Sequence, residues 1–147
     1  MIRYRKMQPK DTQAVFEMNE AYFHESWTKA AIEKILTDST MLYITAVDEN
    51  DEPVGYCGLY QVLDEGNITQ VAVHESMRGM RIGTGLMKEL LEAGDENGIR
   101  FYTLEVRAKN QSAIALYEAA GFEQAGIRKN YYKNPDEDGI IMNRICK

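Results

Sequence analysis

One stretch constrains this chain more than any other: Arg78-Gly79-Met80-Arg81-Ile82-Gly83-Thr84-Gly85. Before it, Ile68 to Val73 reads as a strand. After it, Leu86, Met87, Leu90, Leu91 and Gly94 recur at helical spacing. A strand that passes through such a loop into a helix presents unpaired backbone N–H groups and the positive end of the helix dipole at one point. Glycines let a phosphate come close to the backbone, and Arg78 and Arg81 add positive charge. The stretch points to a phosphate or pyrophosphate cradle. The plainer alternative is a tight, solvated turn.

The surrounding pattern frames that loop. Ile2 to Met7 reads as a first strand, ended by Pro9-Lys10-Asp11. Asp11 is placed to cap a helix with Ala14, Val15, Met18, Ala21 and Tyr22 on one face. Thr28 is placed to cap a second helix bearing Ala31, Ile32, Ile35 and Leu36. Met41 to Val47, Val54 to Val62 and Ile68 to Val73 read as three strands of an antiparallel meander. Their turns fall at residues 49–53 and 64–67. Beyond the loop helix, Phe101 to Val106 is a strand, and Asn110 caps a helix that Gly121 closes. Two last strands fall near Phe122 to Arg128 and Ile140 to Ile145. A strand–loop–helix–strand unit implies one parallel pair. The expected fold is α/β, a mixed and mostly antiparallel sheet with one parallel pair and helices on both faces.

Composition removes several classes of function. The 147 residues fit one domain, residues 1–147. The net charge of −6 disfavours nucleic acid, whose binding needs clustered Lys and Arg. The acidity is uneven: residues 1–66 carry all of the excess and residues 67–147 are neutral. No apolar run approaches the roughly 20 residues of a membrane span, and the N-terminus lacks a signal-peptide core. A cytosolic protein is expected. Cys57 and Cys146 form no CxxC pair and read as buried thiols. His24 and His74 have no metal-ligand spacing, so no metal site is expected.

The loop is also not a P-loop, because no Lys-Ser/Thr pair follows the second glycine. A dinucleotide fingerprint fails as well. Gly83-Thr84-Gly85 is a GxG, with Glu105 beyond the next strand, but Lys88 stands at the third glycine position. Too little chain remains for a second nucleotide-binding half.

The strand Gln70-Val71-Ala72-Val73 and the loop Arg78 to Thr84 resemble the acetyl-CoA-binding core of the GNAT N-acetyltransferases. Of that family's [Q/R]xxGxG/A pattern, Arg78 fills the first position and Gly83 the second glycine. Arg81 replaces the first glycine. Leu104 to Asn110, Ala113 to Glu118, Gly121-Phe122 and Arg128-Lys129-Asn130-Tyr131-Tyr132 resemble the RimI branch, the ribosomal-protein-alanine N-acetyltransferases. His24-Glu25-Ser26-Trp27-Thr28 resembles that branch's loop between the first two helices, with Ser26 where the family usually has Pro.

The resemblance implies roles. Val71, Ala72 and Val73 would run beside the pantetheine arm of acetyl-CoA, and the segment Arg78, Gly79, Met80, Arg81, Ile82, Gly83 and Thr84 would wrap its pyrophosphate. Asn110 would both cap its helix and touch CoA. Glu105 would be the general base, drawing a proton from the substrate ammonium through water. On the residues alone, Glu105 could instead be paired with a neighbour such as Arg107. Tyr117 would be the general acid, protonating the CoA thiolate, although a packed core tyrosine is the plainer reading. Trp27, Tyr131 and Tyr132 would flank the acceptor groove. His74 reads as a loop residue. A backbone N–H in the bulged strand near Val71 is the expected oxyanion donor.

An α-amine, with a pKa of about 7.7–8.0, asks less of the base than a Lys amine at about 10.4. That favours a protein N-terminus as acceptor, and the acidic balance favours a basic one; the resemblance implies acetyl-CoA as the other partner and the N-terminal alanine of a small-subunit ribosomal protein as the acceptor. Direct transfer in a ternary complex follows from the lack of a placed nucleophilic Cys. A GNAT acetylating a small amine and a catalytically idle acetyl-CoA-binding module are the alternatives.

Overall fold

The computed structural model describes residues 1–23, 27–133 and 135–146. Among these residues, seven strands form one sheet: β1 (Arg3–Lys6), β2 (Met41–Val47), β3 (Pro53–Val62), β4 (Glu65–Val73), β5 (Phe101–Arg107), β6 (Glu123–Tyr132) and β7 (Glu137–Ile145). Their order is β1-β2-β3-β4-β5-β7-β6. Every neighbouring pair is antiparallel except β4 and β5, which are parallel. Among the described residues, four α-helices cover the sheet: α1 (Thr12–Tyr22), α2 (Lys29–Ile35), α3 (Ile82–Glu96) and α4 (Gln111–Ala119). None of the described helices is long and apolar enough to cross a membrane.

Two cores lie on opposite faces of the sheet. Residues of α3 and α4 pack with Leu42, Ile44, Cys57, Leu104 and Val106. Residues of α1 and α2 pack with Tyr43, Tyr56 and Ala72. Strand alternation makes this possible, since Leu42 and Tyr43 point to opposite sides. The α3 stripe is regular: Ile82, Leu86, Met87, Leu90, Leu91 and Gly94 are buried. Burying each large aliphatic side chain contributes about 1.5–3 kcal/mol. Gly94 is required by close packing, because a Cβ there would stand 2.4 Å from Tyr102 Oη. That hydroxyl donates to Asp95 Oδ1 (2.7 Å) and lies 3.0 Å from Leu91 O, which fixes α3 on β5.

Two expected caps form. Thr28 Oγ1 accepts from Ala31 N (3.1 Å), and Asn110 Oδ1 accepts from Ala113 N (3.2 Å). Asp11 differs. It stands at the N-cap of α1 but makes no side-chain cap bond. Its carboxylate turns back, accepting from Gln8 N (2.9 Å) and pairing with Arg5 (2.6 Å). The ion pair wins because the carboxylate is fully buried, and leaving a buried charge unpaired costs more than leaving helix N–H groups to water. The β3–β4 turn is also tighter than expected. Val62 pairs with Glu65, so only Leu63 and Asp64 form the turn, with Leu63 at φ 55°. Gly66 and Asn67 belong to β4. The last two strands also begin or end beyond their expected limits, because the β6–β7 hairpin pairs out to Tyr132 and Glu137.

Candidate active site

The parallel pairing of β4 with β5 covers only Glu65, Gly66 and Asn67 against Phe101, Tyr102 and Thr103. Beyond it the two strands part: β5 keeps its pairing with β7 to Arg107, and β4 keeps its pairing with β3 to Val73. A bulge marks the parting. Gly58 faces Gln70 while Leu59 faces Ile68, so Thr69 is an extra residue on β4. Val71, Ala72 and Val73 therefore lie along an open strand edge, whose backbone groups need partners. An extended ligand that carries amides suits such an edge. The bulge falls at Thr69, two residues before Val71.

β4 feeds the phosphate-type loop. Arg78 Nε donates to Val73 O (3.1 Å), and its guanidinium lies 4.6 Å from the centre of the Tyr22 ring. Tyr22 Oη accepts from Glu75 N (2.9 Å), so the end of α1 grips the loop. His74 is a loop residue as expected, its Nδ1 accepting from Ser76 N (3.2 Å). Gly79 has φ +85° and Met80 is exposed. Within the described chain, the N–H groups of Ile82, Gly83 and Thr84 have no acceptor, while Gly85 N reaches Arg81 O (3.1 Å). These donors, with Arg78 and Arg81 beside them, fit a pyrophosphate.

Arg81 caps α3 in the left-handed region, φ 61° and ψ 24°. That conformation costs a non-glycine residue about 1–2 kcal/mol. Arg81→Gly should therefore raise the midpoint of thermal unfolding by roughly 2–4 °C, after the extra unfolded-state entropy of glycine is deducted. An unchanged or lower midpoint in a calorimetric scan would show that the arginine side chain offsets its own strain.

Glu105 lies between the inward-facing Leu104 and Val106, so it projects to the α1/α2 side of the sheet. Its ion partner is Arg128, with Nε 3.3 Å from Oε2, and not the Arg107 considered from sequence. Arg107 is committed elsewhere, to Glu137 (3.3 Å) and the carbonyls of Lys133 and Pro135. Glu105 Oε2 is buried and has no hydrogen bond among the described residues, since the Arg128 contact lacks hydrogen-bond geometry. Tyr132 stands near it. Burial and the Glu105 charge push the Tyr132 phenol up to about 12.

Tyr117 is buried in the α3/α4 core, edge-on to Phe122 at 6.0 Å. Burial, with Cys57 and Tyr132 nearby, raises its phenol well above 10. It is therefore a weaker acid than a free phenol. Tyr131 and Tyr132 meet edge-on at 5.0 Å, under Arg128 and Arg107 respectively. Trp27 packs edge-on against Tyr43 at 6.3 Å on the α1/α2 side. His24, Glu25 and Ser26 of the same motif lie outside the described residues.

Asn19, Gln70 and Arg128 carry no individual role on sequence alone, yet the structure places all three around the gap between β4 and β5. Asn19 is fully buried and bonds to both Trp27 N and Gln70. The available signal was a polar residue on the apolar stripe of Val15, Met18 and Tyr22.

A separate groove of about 310 Å³ runs between α3 and α4. Neither Glu105 nor Tyr117 lines it, so it is not the gap described above.

Taken whole, the chain has the architecture of solved N-acetyltransferases. The ribosomal-protein-S18-alanine N-acetyltransferase of Escherichia coli superposes with a TM-score of 0.88 at 27% identity, covering 100% of this chain and 96% of that one. An Arabidopsis thaliana NAA60 structure shares the fold at TM-score 0.90 and 18% identity, covering 100% of this chain and 99% of that one. The chain belongs to the acetyltransferase (GNAT) family, whose profile matches residues 12–122, and it is an acetyl-CoA-dependent N-acetyltransferase.

Two sequence relatives are nearer still. A Bacillus subtilis protein, whose name places it with the bS18-alanine N-acetyltransferases, is 33% identical over 138 residues, 94% of this chain and 91% of its own length. The [ribosomal protein bS18]-alanine N-acetyltransferase of Escherichia coli (strain K12) is 38% identical over 96 residues, 64% of this chain and 65% of that protein.

Proposed function

We propose that residues 1–147 act as one cytosolic enzyme domain that acetylates the N-terminal alanine of ribosomal protein bS18. The observation that carries the reading is a buried carboxylate oxygen, Glu105 Oε2, without a hydrogen bond among the described residues, on the strand that borders the open edge of β4. The names of the Bacillus and Escherichia relatives supply the acceptor.

Acetyl-CoA brings an activated acetyl thioester. Val71, Ala72 and Val73 hold its pantetheine arm through their backbone groups. Arg78 to Thr84 hold the pyrophosphate, mainly through N–H groups, and Asn110 adds a contact from the start of α4. Trp27, Tyr131 and Tyr132 border the acceptor. Glu105 accepts a proton from the acceptor ammonium, through water. A free α-amine is already partly neutral near pH 8, so a carboxylate suffices. Tyr117 Oη gives its proton to the departing sulfur. A backbone N–H beside the Thr69 bulge faces the carbonyl oxygen as charge builds there.

The direct test is a peptide library with varied first residues, incubated with acetyl-CoA and read by mass. Ala-starting peptides should gain the mass of one acetyl group less the hydrogen it replaces. Acetylation of small amines only, or CoA binding with no acceptor at all, would overturn the reading.

Charge distribution supports a basic acceptor. The excess of acidic side chains falls wholly in residues 1–66, among them the exposed Glu17 and Glu20 of α1. Raising salt should therefore lift the peptide KM severalfold while leaving kcat unchanged, because screening acts on encounter between exposed charges. A flat response would remove electrostatic attraction from the account.

A further inference from the structure

Beneath α1, the donors and acceptors of a chain of polar side chains can be assigned from one end. Trp27 N is a backbone amide and only donates, so the Asn19 atom it meets at 2.6 Å is Oδ1. The other atom, Nδ2, only donates. It reaches Tyr56 Oη (3.4 Å) and Gln70 (3.1 Å), so the Gln70 atom is Oε1. Tyr56 Oη donates to the same Oε1 (2.7 Å). With Oε1 held by two interior donors, Gln70 Nε2 is turned away from them. Among the described residues it has no acceptor.

Register puts that amide at a specific place. Asn67 pairs with Thr103, and Thr69 is the extra residue of the bulge. Gln70 on β4 is therefore level with Glu105 on β5. Both side chains lie on the α1/α2 side of the sheet, one on each wall of the gap between the strands.

We propose that Gln70 binds the acceptor: Nε2 donates to the first main-chain carbonyl oxygen of the incoming peptide while Glu105 serves its amine. The inference deepens the proposed acetylation of a protein N-terminus and rests on it. An α-amine has a carbonyl two bonds away, whereas a Lys ε-amine has none within reach. A donor fixed beside the base thus selects N-termini over lysine side chains by the hydrogen bond that only the former can accept. Asn19 and Tyr56 are positioning residues that hold the amide in this orientation.

The experiment compares two acceptors on the wild-type chain and on Gln70→Glu. One acceptor is an Ala-starting peptide; the other is the same peptide with its first peptide bond replaced by an (E)-alkene, which keeps length and shape but has no carbonyl. Gln70→Glu keeps an oxygen for Tyr56 and Asn19, so the interior bonds survive, but it removes the outward donor. The wild-type chain should prefer the carbonyl acceptor in kcat/KM, and Gln70→Glu should reduce that preference by about tenfold. Taking the ratio cancels any effect of the new charge on the ammonium.

Trp27 is the single tryptophan, so its emission reports on the network independently of turnover. It should be unchanged in Gln70→Glu and red-shifted in Asn19→Ala, which leaves Trp27 N without its acceptor. An unchanged preference between the two acceptors overturns the inference. So does a shifted Trp27 emission with equal losses on both acceptors, which would mark a purely structural role. If the wild-type chain acetylates neither acceptor, the proposed function itself fails, and the inference with it.

Discussion

Tyr117→Phe should lower kcat by about 10²–10³-fold and leave acetyl-CoA affinity unchanged, as measured by single-turnover rates and calorimetric titration. The substitution removes one oxygen and keeps the ring. The edge-on contact with Phe122 at 6.0 Å therefore survives, and so does most of the buried area. Stability should change little for the same reason.

What is lost is the only function a buried phenol can add here. Burial raises the Tyr117 phenol above its ordinary value, so it stays protonated throughout the working range. It acts as a hydrogen-bond donor whose proton moves late, as negative charge gathers on sulfur. No loss of rate from its ionisation is expected below pH 10. Equal losses in turnover and in acetyl-CoA affinity would make Tyr117 a packing residue. An unchanged kcat would give the acid role to water.

The second large effect is on stability. Asp11→Ala should destabilise the chain by about 3 kcal/mol, lowering the thermal midpoint by roughly 6–12 °C. Asp11 has no exposed surface, and its carboxylate pairs with an Arg5 side chain that is 17% exposed. Arg5 also meets Asp51 at 2.5 Å, which limits the loss to the lower end for a broken buried pair. Gln8 N would lose its acceptor as well. Asp11→Asn keeps an acceptor for Gln8 N and should cost less. If Asp11→Ala unfolds at the same temperature as the wild-type chain, water has replaced the carboxylate around Arg5.

Asp11 also shows where local signals stop. An Asp before an apolar-periodic run is a cap signal, and nothing in residues 8–14 indicates that Arg5 will claim it. The strands, helices and parallel pair were legible because burial follows the periods of 2 and 3.6 closely, as in β5 and α3. The β3–β4 turn was misplaced because Leu63 takes positive φ, a conformation its residue type does not advertise. Glu105 could be singled out as a lone carboxylate on an apolar strand. Its partner could not, because Arg128 is brought near only when β6 folds back along β7. Asn19, Tyr56 and Gln70 are far apart in sequence, and only the packing of α1 on the sheet makes them neighbours.

The parting of β4 from β5 has a thermodynamic consequence. Hydrogen bonds that would complete the sheet are left unmade beyond Asn67, and in the proposed complex acetyl-CoA supplies them. A ligand that binds only the folded chain stabilises it by mass action, about 2.7 kcal/mol at a hundred times its dissociation constant. With acetyl-CoA bound in this way, the lifetime of the enzyme against unfolding and proteolysis should rise with the acetyl-CoA concentration around it.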